Sequence, residues 1–410
     1  MKKILSISLL IAACVLANAQ SADSGVVFSC SDPSAQQSFC IDVPVPDGNY
    51  LVSVRLGSKR RAGHTFIKAE SRRLFVNGVE TSLGEFKTVS FVVNKRDDVI
   101  RTPEGERKVS LKSRENGKLD WDGCLNLEIL GDAPVVCEIK VEPANATTVF
   151  LCGDSTVVDQ DNEPWASWGQ MFPWFFDTQV AVANYGESGE RTDTFLAAGR
   201  LDKILTQLKP GDYVFVEFGH NDQKINSRPG GGAYYYFATN LKTFIDLIRE
   251  AGGIPVLVTP THRRNFDAEG KIIETHLDYP EAMHWVAERE KVSLIDLHAM
   301  SAMFYEALGP EDSKKAFVHY PAGAYPSIVN DTQDNTHFNP YGAFELAKCV
   351  VAALKVSGLP LSKHIANFSG FNPMEPDAPQ DFRWIDSPYR ELAPQVLEKD
   401  DKAGEVPARK

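Results

Sequence analysis

Thr148-Val149-Phe150-Leu151-Cys152-Gly153-Asp154-Ser155-Thr156-Val157 begins as an apolar run of strand length and ends on a glycine, an acid and a serine. A run that is apolar throughout, with no alternation, fits a strand covered on both faces, as in a parallel sheet between layers of helices. Similar runs return at Val180 to Ala183, Tyr213 to Phe218, Ile254 to Val258 and Val292 to Leu297, separated by helical stretches at 192–208, 234–251 and 279–291. The alternation predicts an α/β domain, three-layered and doubly wound, with five parallel strands. Ligands of such domains bind beyond the carboxyl ends of the strands, so the loops after the first three runs are where chemistry is expected.

Upstream the rhythm is different. Tyr50 to Leu56, Thr65 to Val76, Phe86 to Val93, Lys108 to Lys112 and Leu125 to Leu130 alternate apolar and polar residues with turn signals between them, which describes half-buried strands. Asn77-Gly78 is a two-residue hairpin signal. The reading is an all-β sandwich over 20–143, a catalytic domain over 144–360 and a Pro- and Asp-rich extension over 361–410, surface-wrapped or unstructured. At 410 residues two domains are expected.

Lys2 and Lys3 precede an apolar run from Ile4 to Ala17, and Ala17-Asn18-Ala19 has the small-x-small form of a signal-peptidase site, so 1–19 reads as an export signal. Ile11-Ala12-Ala13-Cys14 also fits a lipoprotein box, which would place a lipid anchor on Cys14. The expectation is an exported protein, periplasmic or extracellular, with a surface lipoprotein as the alternative. No run is long enough for a transmembrane segment. Loss of the two lysines takes the formal charge from −12 to −14, which argues against nucleic acid as a partner. Six cysteines then remain: Cys30, Cys40, Cys124, Cys137, Cys152 and Cys349. The first four could form two disulfides in any of three pairings, or stay as thiols.

Four loop segments carry candidate chemistry. Ser155 stands just past the first strand, where its hydroxyl and backbone N–H can face one space. Gly189, in Ser188-Gly189-Glu190-Arg191 after the second strand, can turn an N–H toward a developing oxyanion. Asn221, in Phe218-Gly219-His220-Asn221-Asp222 after the third, can add a side-chain amide. Asp334-Asn335-Thr336-His337 places a carboxylate three residues before an imidazole, the orienter and base of a Ser-His-Asp arrangement. Each segment alone also reads as an ordinary turn or cap.

In this order, the four segments resemble the blocks of the SGNH (GDSL-like) hydrolases over about 149–351, with Thr156 where the common pattern has Leu. GDSTV, FGHND and DNTHF, with Thr259 to Asp267 and Thr275 to Pro280, are similar to the rhamnogalacturonan acetylesterases, carbohydrate esterase family 12. The second block departs from that group's Gly-Gly-Arg-Ser run. The resemblance implies a flavodoxin-like sheet preceded by a galactose-binding-like jelly roll. It implies an esterase that needs no metal or cofactor and acts on an acetylated plant cell-wall polysaccharide. Ser155 would attack, His337 would take the proton, Asp334 would hold the imidazole, and Ser155, Gly189 and Asn221 would bind the oxyanion. His262, Arg263 and Arg264 follow the fourth strand and are candidate contacts for a uronate carboxylate, with internal salt bridges as the alternative.

Two readings from other classes compete. A metallophosphoesterase needs an early Asp-x-His and a later His-x-His, and neither occurs. A sugar-binding protein with an inert hydrolase domain would use β-domain aromatics such as Phe66, Phe75, Phe86 and Trp121 as stacking platforms.

Overall fold

The computed structural model describes residues 26–29 and 38–387, so the expected export signal over 1–19, Cys14, Cys30 and the last residues of the chain lie outside it. Ten strands come first: β1 (Val26–Ser29), β2 (Phe39–Pro44), β3 (Gly48–Gly57), β4 (Gly63–Ala69), β5 (Arg73–Thr81), β6 (Phe86–Lys95), β7 (Val99–Thr102), β8 (Gly105–Lys108), β9 (Cys124–Ala133) and β10 (Val136–Pro143). Eight of them make two antiparallel sheets, β1-β10-β3-β6 and β2-β9-β4-β5, while β7 and β8 form a small hairpin. Because successive side chains of a strand point to opposite faces, alternating residues such as Val52, Val54 and Leu56 of β3 meet Ile67, Leu127 and Ile129 in one core.

The chain then turns to α/β. Strands β11 (Thr147–Gly153), β12 (Val180–Asn184), β13 (Tyr213–Glu217), β14 (Ile254–Val258) and β15 (Ser293–Ile295) are all parallel, in the order β12-β11-β13-β14-β15. The helices are α1 (Trp168–Met171), α2 (Thr192–Ala197), α3 (Arg200–Gln207), α4 (Ala238–Glu250), α5 (Tyr279–Glu290), α6 (Leu297–Asp312) and α7 (Pro340–Val356). Val149, Leu151 and Phe215 face one buried cluster, and Phe150, Val214 and Val216 face another on the other side of the sheet. Burial on both faces is why these strands are apolar without alternation. A final antiparallel pair, β16 (Phe317–Tyr320) and β17 (Thr332–Phe338), stands apart from the main sheet. Among the described residues no helix is long and apolar enough to cross a membrane.

The two halves share a sheet. β6 lies parallel to β12, with Val93 opposite Val182, so one nine-stranded sheet runs from β1 to β15. Arg73 of β5 ties the second antiparallel sheet to the same place. Its buried guanidinium donates to Val182 O (2.8 Å) and Asn94 O (3.0 Å), and its Nε stands 3.1 Å from Asp159 Oδ2. A guanidinium taken out of water without partners costs several kcal/mol, so these acceptors are needed for the two halves to close.

Several local expectations are corrected. Asn77-Gly78 lies inside β5, opposite a register shift in β4; the chain reverses instead at 70–72, where Glu70 and Arg72 take positive φ. Arg72 holds that turn from inside, donating to Gln160 O and Trp165 O (both 2.9 Å). The helical stretch at 192–208 breaks at Gly199 into α2 and α3, and 109–112 is not a strand. Phe66 and Phe75 are buried, and Trp121 sits edge-on against Tyr185 beneath the Arg96 guanidinium, so these three rings build the interior and form no exposed platform. Cys124 and Cys137 are thiols, so the two-disulfide framework does not form. The described part of the extension, 361–387, joins the halves: Trp384 Nε1 donates to Glu163 Oε1 (2.9 Å), the Lys68 ammonium sits 3.4 Å from the centre of the Trp384 ring, and Ser387 Oγ donates to Glu128 Oε2 (2.7 Å).

Candidate active site

Ser155 lies in the turn that leaves β11, closed by Val157 N and Val158 N donating to Asp154 O. Gly153 is obligatory there: a Cβ on it would fall 2.4 Å from Val157 Cγ2 and 3.0 Å from Glu217 O. Beneath the turn is a buried polar stack. Asp154 Oδ1 accepts from Thr156 N (3.0 Å) and Thr156 Oγ1 (2.9 Å), Thr156 Oγ1 stands 2.9 Å from Glu217 Oε1, and Trp168 Nε1 donates to Glu217 Oε2. Burial, then the nearby Asp154 carboxylate, pushes Glu217 up to about 8. A protonated Glu217 fits the geometry, because the single Thr156 hydroxyl hydrogen cannot serve both acids and a proton on Oε1 can donate to Thr156.

His337 and Asp334 come from β17. His337 Nε2 is 2.8 Å from Ser155 Oγ, and His337 Nδ1 is 2.7 Å from Asp334 Oδ2. Asp334 Oδ1 accepts from Thr336 N (2.7 Å) and His337 N (2.9 Å). Burial alone would raise the Asp334 carboxyl, but the imidazole and these N–H groups outweigh it and hold it at about 2. The tautomer follows: a carboxylate takes Nδ1–H and leaves Nε2 to accept from the serine.

Asn221 follows β13. Its Oδ1 accepts from Lys224 Nζ (2.8 Å), and its Nδ2 donates to Glu190 O (3.0 Å) and stands 3.5 Å from Asp154 Oδ2. The amide thus joins the β12 loop to the Ser155 turn. Gly189 has φ +74°, a left-handed conformation costly for residues with a Cβ. Its loop is held from the N-terminal half. Lys112 Nζ donates to Ser188 O (2.6 Å) and pairs with Glu190 Oε1 (2.8 Å); Arg114 donates to Ser188 O and to Glu187 Oε1 (2.7 Å). Lys118 Nζ stands 3.1 Å from Glu187 Oε2. Burial would raise Glu187, but Lys118 and Arg114 hold it at about 2.

The structure brings Ser155, Asp334, His337, Gly189 and Asn221 to one edge of the sheet. His262, Arg263 and Arg264 are not among them. Arg263 donates to Thr275 O (3.2 Å) and His220 O (3.2 Å), and Arg264 to Asn335 Oδ1 (2.9 Å) and Pro310 O (2.8 Å); all three residues are buried. Interior carbonyls and amides occupy both guanidinium groups, so neither is presented to a uronate. Lys112, Arg114 and Glu217 escaped the sequence reading, since a basic residue between strands carries no local signal of a loop it meets 76 residues later.

An alcohol that can pass its proton to an imidazole held by a carboxylate, at the carboxyl edge of a doubly wound sheet, defines a serine hydrolase of the SGNH type. Residues 151–343 match the GDSL-like Lipase/Acylhydrolase family. The chain is 42% identical over 224 residues to rhamnogalacturonan acetylesterase RhgT of Bacillus subtilis, covering 54% of this chain and 95% of that protein. It is 29% identical over 238 residues to rhamnogalacturonan acetylesterase of Emericella nidulans, covering 53% of this chain and 89% of that one. A crystal structure of Bacillus subtilis YxiM aligns over 82% of this chain and 85% of its own, at 25% identity and a TM-score of 0.48. The chain belongs to the GDSL-like lipase/acylhydrolase family, and it is an esterase.

Proposed function

We propose that the protein removes O-acetyl groups from rhamnogalacturonan, the backbone of branched pectin. The observation that carries the chemistry is the 2.8 Å contact between Ser155 Oγ and His337 Nε2 with Asp334 behind it. Support for the substrate is the 42% identity to a protein named for that activity. Ser155 Oγ attacks the acetyl carbonyl carbon as His337 Nε2 takes its proton. The tetrahedral oxyanion is met by the N–H groups of Ser155 and Gly189 and the Asn221 amide. Collapse passes the proton from His337 to the departing sugar oxygen, leaving an acetyl-serine. Water, deprotonated by His337, repeats the sequence and releases acetate.

The same reading places the enzyme outside the cytoplasm, with 1–19 removed or Cys14 lipidated, and takes 20–143 as a jelly roll of the galactose-binding type. Support for the jelly roll is the pair of facing four-stranded antiparallel sheets. Intact-mass measurement of the protein recovered from its source separates cleavage after Ala19 from a lipid on Cys14.

Acetate release from acetylated rhamnogalacturonan beside acetylated xylan, with Ser155→Ala as blank, tests the substrate. Rates at least about ten times higher on rhamnogalacturonan are expected, the size of a pocket-level preference. Equal or reversed rates would transfer the assignment to xylan or small acetylated sugars.

A further inference from the structure

His262, Glu274, His276 and His298 converge beside the active-site loops, with one ligand-capable atom from each within 4.8 Å of all the others. Neither proton transfer nor the oxyanion uses them. His262 follows β14, Glu274 and His276 precede α5, and His298 is the second residue of α6, so the group joins three separate segments.

The hydrogen bonding of the cluster is incomplete. His276 is fully buried and its Nδ1 has no hydrogen-bond partner, standing 3.7 Å from Glu274 Oε1. Its other nitrogen, Nε2, lies 2.9 Å from His220 Nδ1, whose ring continues through Nε2 to Thr261 Oγ1 at 3.2 Å. If Nε2 carries the hydrogen toward His220, the Nδ1 lone pair is aimed into the cluster. His298 Nδ1 lies 2.8 Å from Pro260 O, and a carbonyl can only accept, so the hydrogen is on Nδ1. In a neutral ring that leaves the Nε2 lone pair facing Glu274 Oε2 at 2.6 Å, acceptor against acceptor. His262 is stacked on His298 with ring centres 3.5 Å apart, and its Nε2 is 3.9 Å from Glu274 Oε2.

Either a proton on His298 or a cation between the groups resolves this contact. The proton accounts for one pair only; a cation also satisfies His276 Nδ1. We propose that His262, His276, His298 and Glu274 bind a first-row divalent metal ion, most suitably Zn²⁺. Three imidazoles and one carboxylate match the ligands zinc prefers, in the number of a four-coordinate site. Ligands of a tetrahedral zinc lie about 3.4 Å apart for bonds near 2.1 Å, so the widest separations, up to 4.8 Å, must close by up to about 1.4 Å while the 2.6 Å His298–Glu274 contact opens, and the half-exposed Glu274 side chain has room to move. The Pro260 carbonyl behind His298 and His220 behind His276 supply the outer hydrogen bonds that orient metal-bound imidazoles.

The ion would be structural. It would clip the 262–276 segment to α6, and through His276 and His220 it would brace the loop that carries Asn221. No step of ester cleavage passes through it.

The test is metal analysis of the full-length protein dialysed against low-micromolar Zn²⁺ and then desalted, together with thermal melts before chelation, after it, and after Zn²⁺ or Mg²⁺ is returned. About one zinc per chain is expected, with the melting temperature falling several degrees on chelation and recovering with Zn²⁺ but not Mg²⁺. Glu274→Gln, at an exposed position that folding tolerates, should weaken zinc binding at least about tenfold, and His298→Ala should abolish stoichiometric binding. Sub-stoichiometric zinc with an unmoved melting temperature in the wild type would leave only a His298–Glu274 ion pair and overturn the proposal. Unchanged zinc content and affinity in both variants would place the metal elsewhere and overturn it equally.

Discussion

The two sides of the Ser155 cleft are held in different ways. On the imidazole side, Asp334 and His337 are three residues apart on one strand, and Asp334 fixes the ring using its own carboxylate and the strand's backbone N–H groups. On the proposed oxyanion side, the Gly189 loop is gripped by Lys112 and Arg114, residues of the β-rich half, whose β6 pairs with β12 in the shared sheet. The first arrangement is local and survives wherever the strand forms. The second depends on the packing of two halves. The imidazole and its carboxylate are therefore built into the α/β half, whereas the Gly189 loop, the proposed oxyanion side, is held from the other half.

The largest effects test the local side. Ser155→Ala and Asp334→Asn should each lower acetate release about 10⁴-fold or more; the melting temperature should stay near the wild-type value in Ser155→Ala and fall in Asp334→Asn, which loses the stability of the ionised carboxylate. Residual turnover within tenfold of wild type in Ser155→Ala would remove that serine from the chemistry. Asp334 also has a pH signature. Its folded value of about 2 lies below the ordinary 3.8, so its ionised form stabilises the folded protein above pH 3.8, and that contribution is lost as pH falls toward 2. The acid limb of kcat/KM should accordingly not shift in a manner that tracks Asp334.

Next in size is Asn221, which joins the two sides. Asn221→Ala should lower kcat about 10² to 10³-fold with little change in KM, as for the loss of one oxyanion donor. A fall confined to KM would make Asn221 a substrate contact instead. Smaller again is the grip from the other half: Lys112→Met combined with Arg114→Met should lower kcat roughly tenfold by loosening the 187–190 loop, with Ser155 still bonded to His337. Unchanged kcat in that double variant would break the contrast between the two sides.

The smallest effect on activity, and the sharpest on pH dependence, belongs to Glu217 under the serine turn. Its folded value of about 8 exceeds the ordinary 4.5, so the stability linked to its proton is full below pH 4.5 and is lost as pH rises through 8. Glutamine reproduces the protonated acid, with an N–H toward Thr156 and an oxygen toward Trp168. Glu217→Gln should therefore raise the melting temperature more at pH 9 than at pH 5. An equal change at both values would mean that the carboxyl does not change its protonation between pH 5 and pH 9.

Much of this was legible in the chain. Continuous apolar runs gave five parallel strands because covering both faces of a strand leaves no polar position, and the loops after β11 and β13 carry Ser155 and Asn221, as expected at the switch point. The β-rich half was legible as alternation but not in its pairing. Asn77-Gly78 signals a turn in isolation, yet it lost to a turn at 70–72, where Arg72 is anchored by the Gln160 and Trp165 carbonyls of the other half. Arg263 and Arg264 read as uronate contacts, or as partners of internal salt bridges, because nothing local reveals that interior carbonyls and an amide oxygen await them. The His262–Glu274–His276–His298 cluster was invisible for the same reason: its residues come from the loop after β14, the segment before α5 and the start of α6, not from a compact motif.

Short-range pattern in the chain determined, without any structure, a serine past the first apolar strand and a carboxylate three residues before an imidazole; that the three act together was what the resemblance to the SGNH hydrolases implied. Only the tertiary structure decided what holds the Gly189 loop, which arginines are buried, and that one sheet spans both halves. Those outcomes rest on contacts that no local pattern encodes, such as Arg263 to His220, 43 positions apart, and Arg73 to Val182, 109 apart, and the free energy of satisfying a buried charge is set by whatever the fold brings near it.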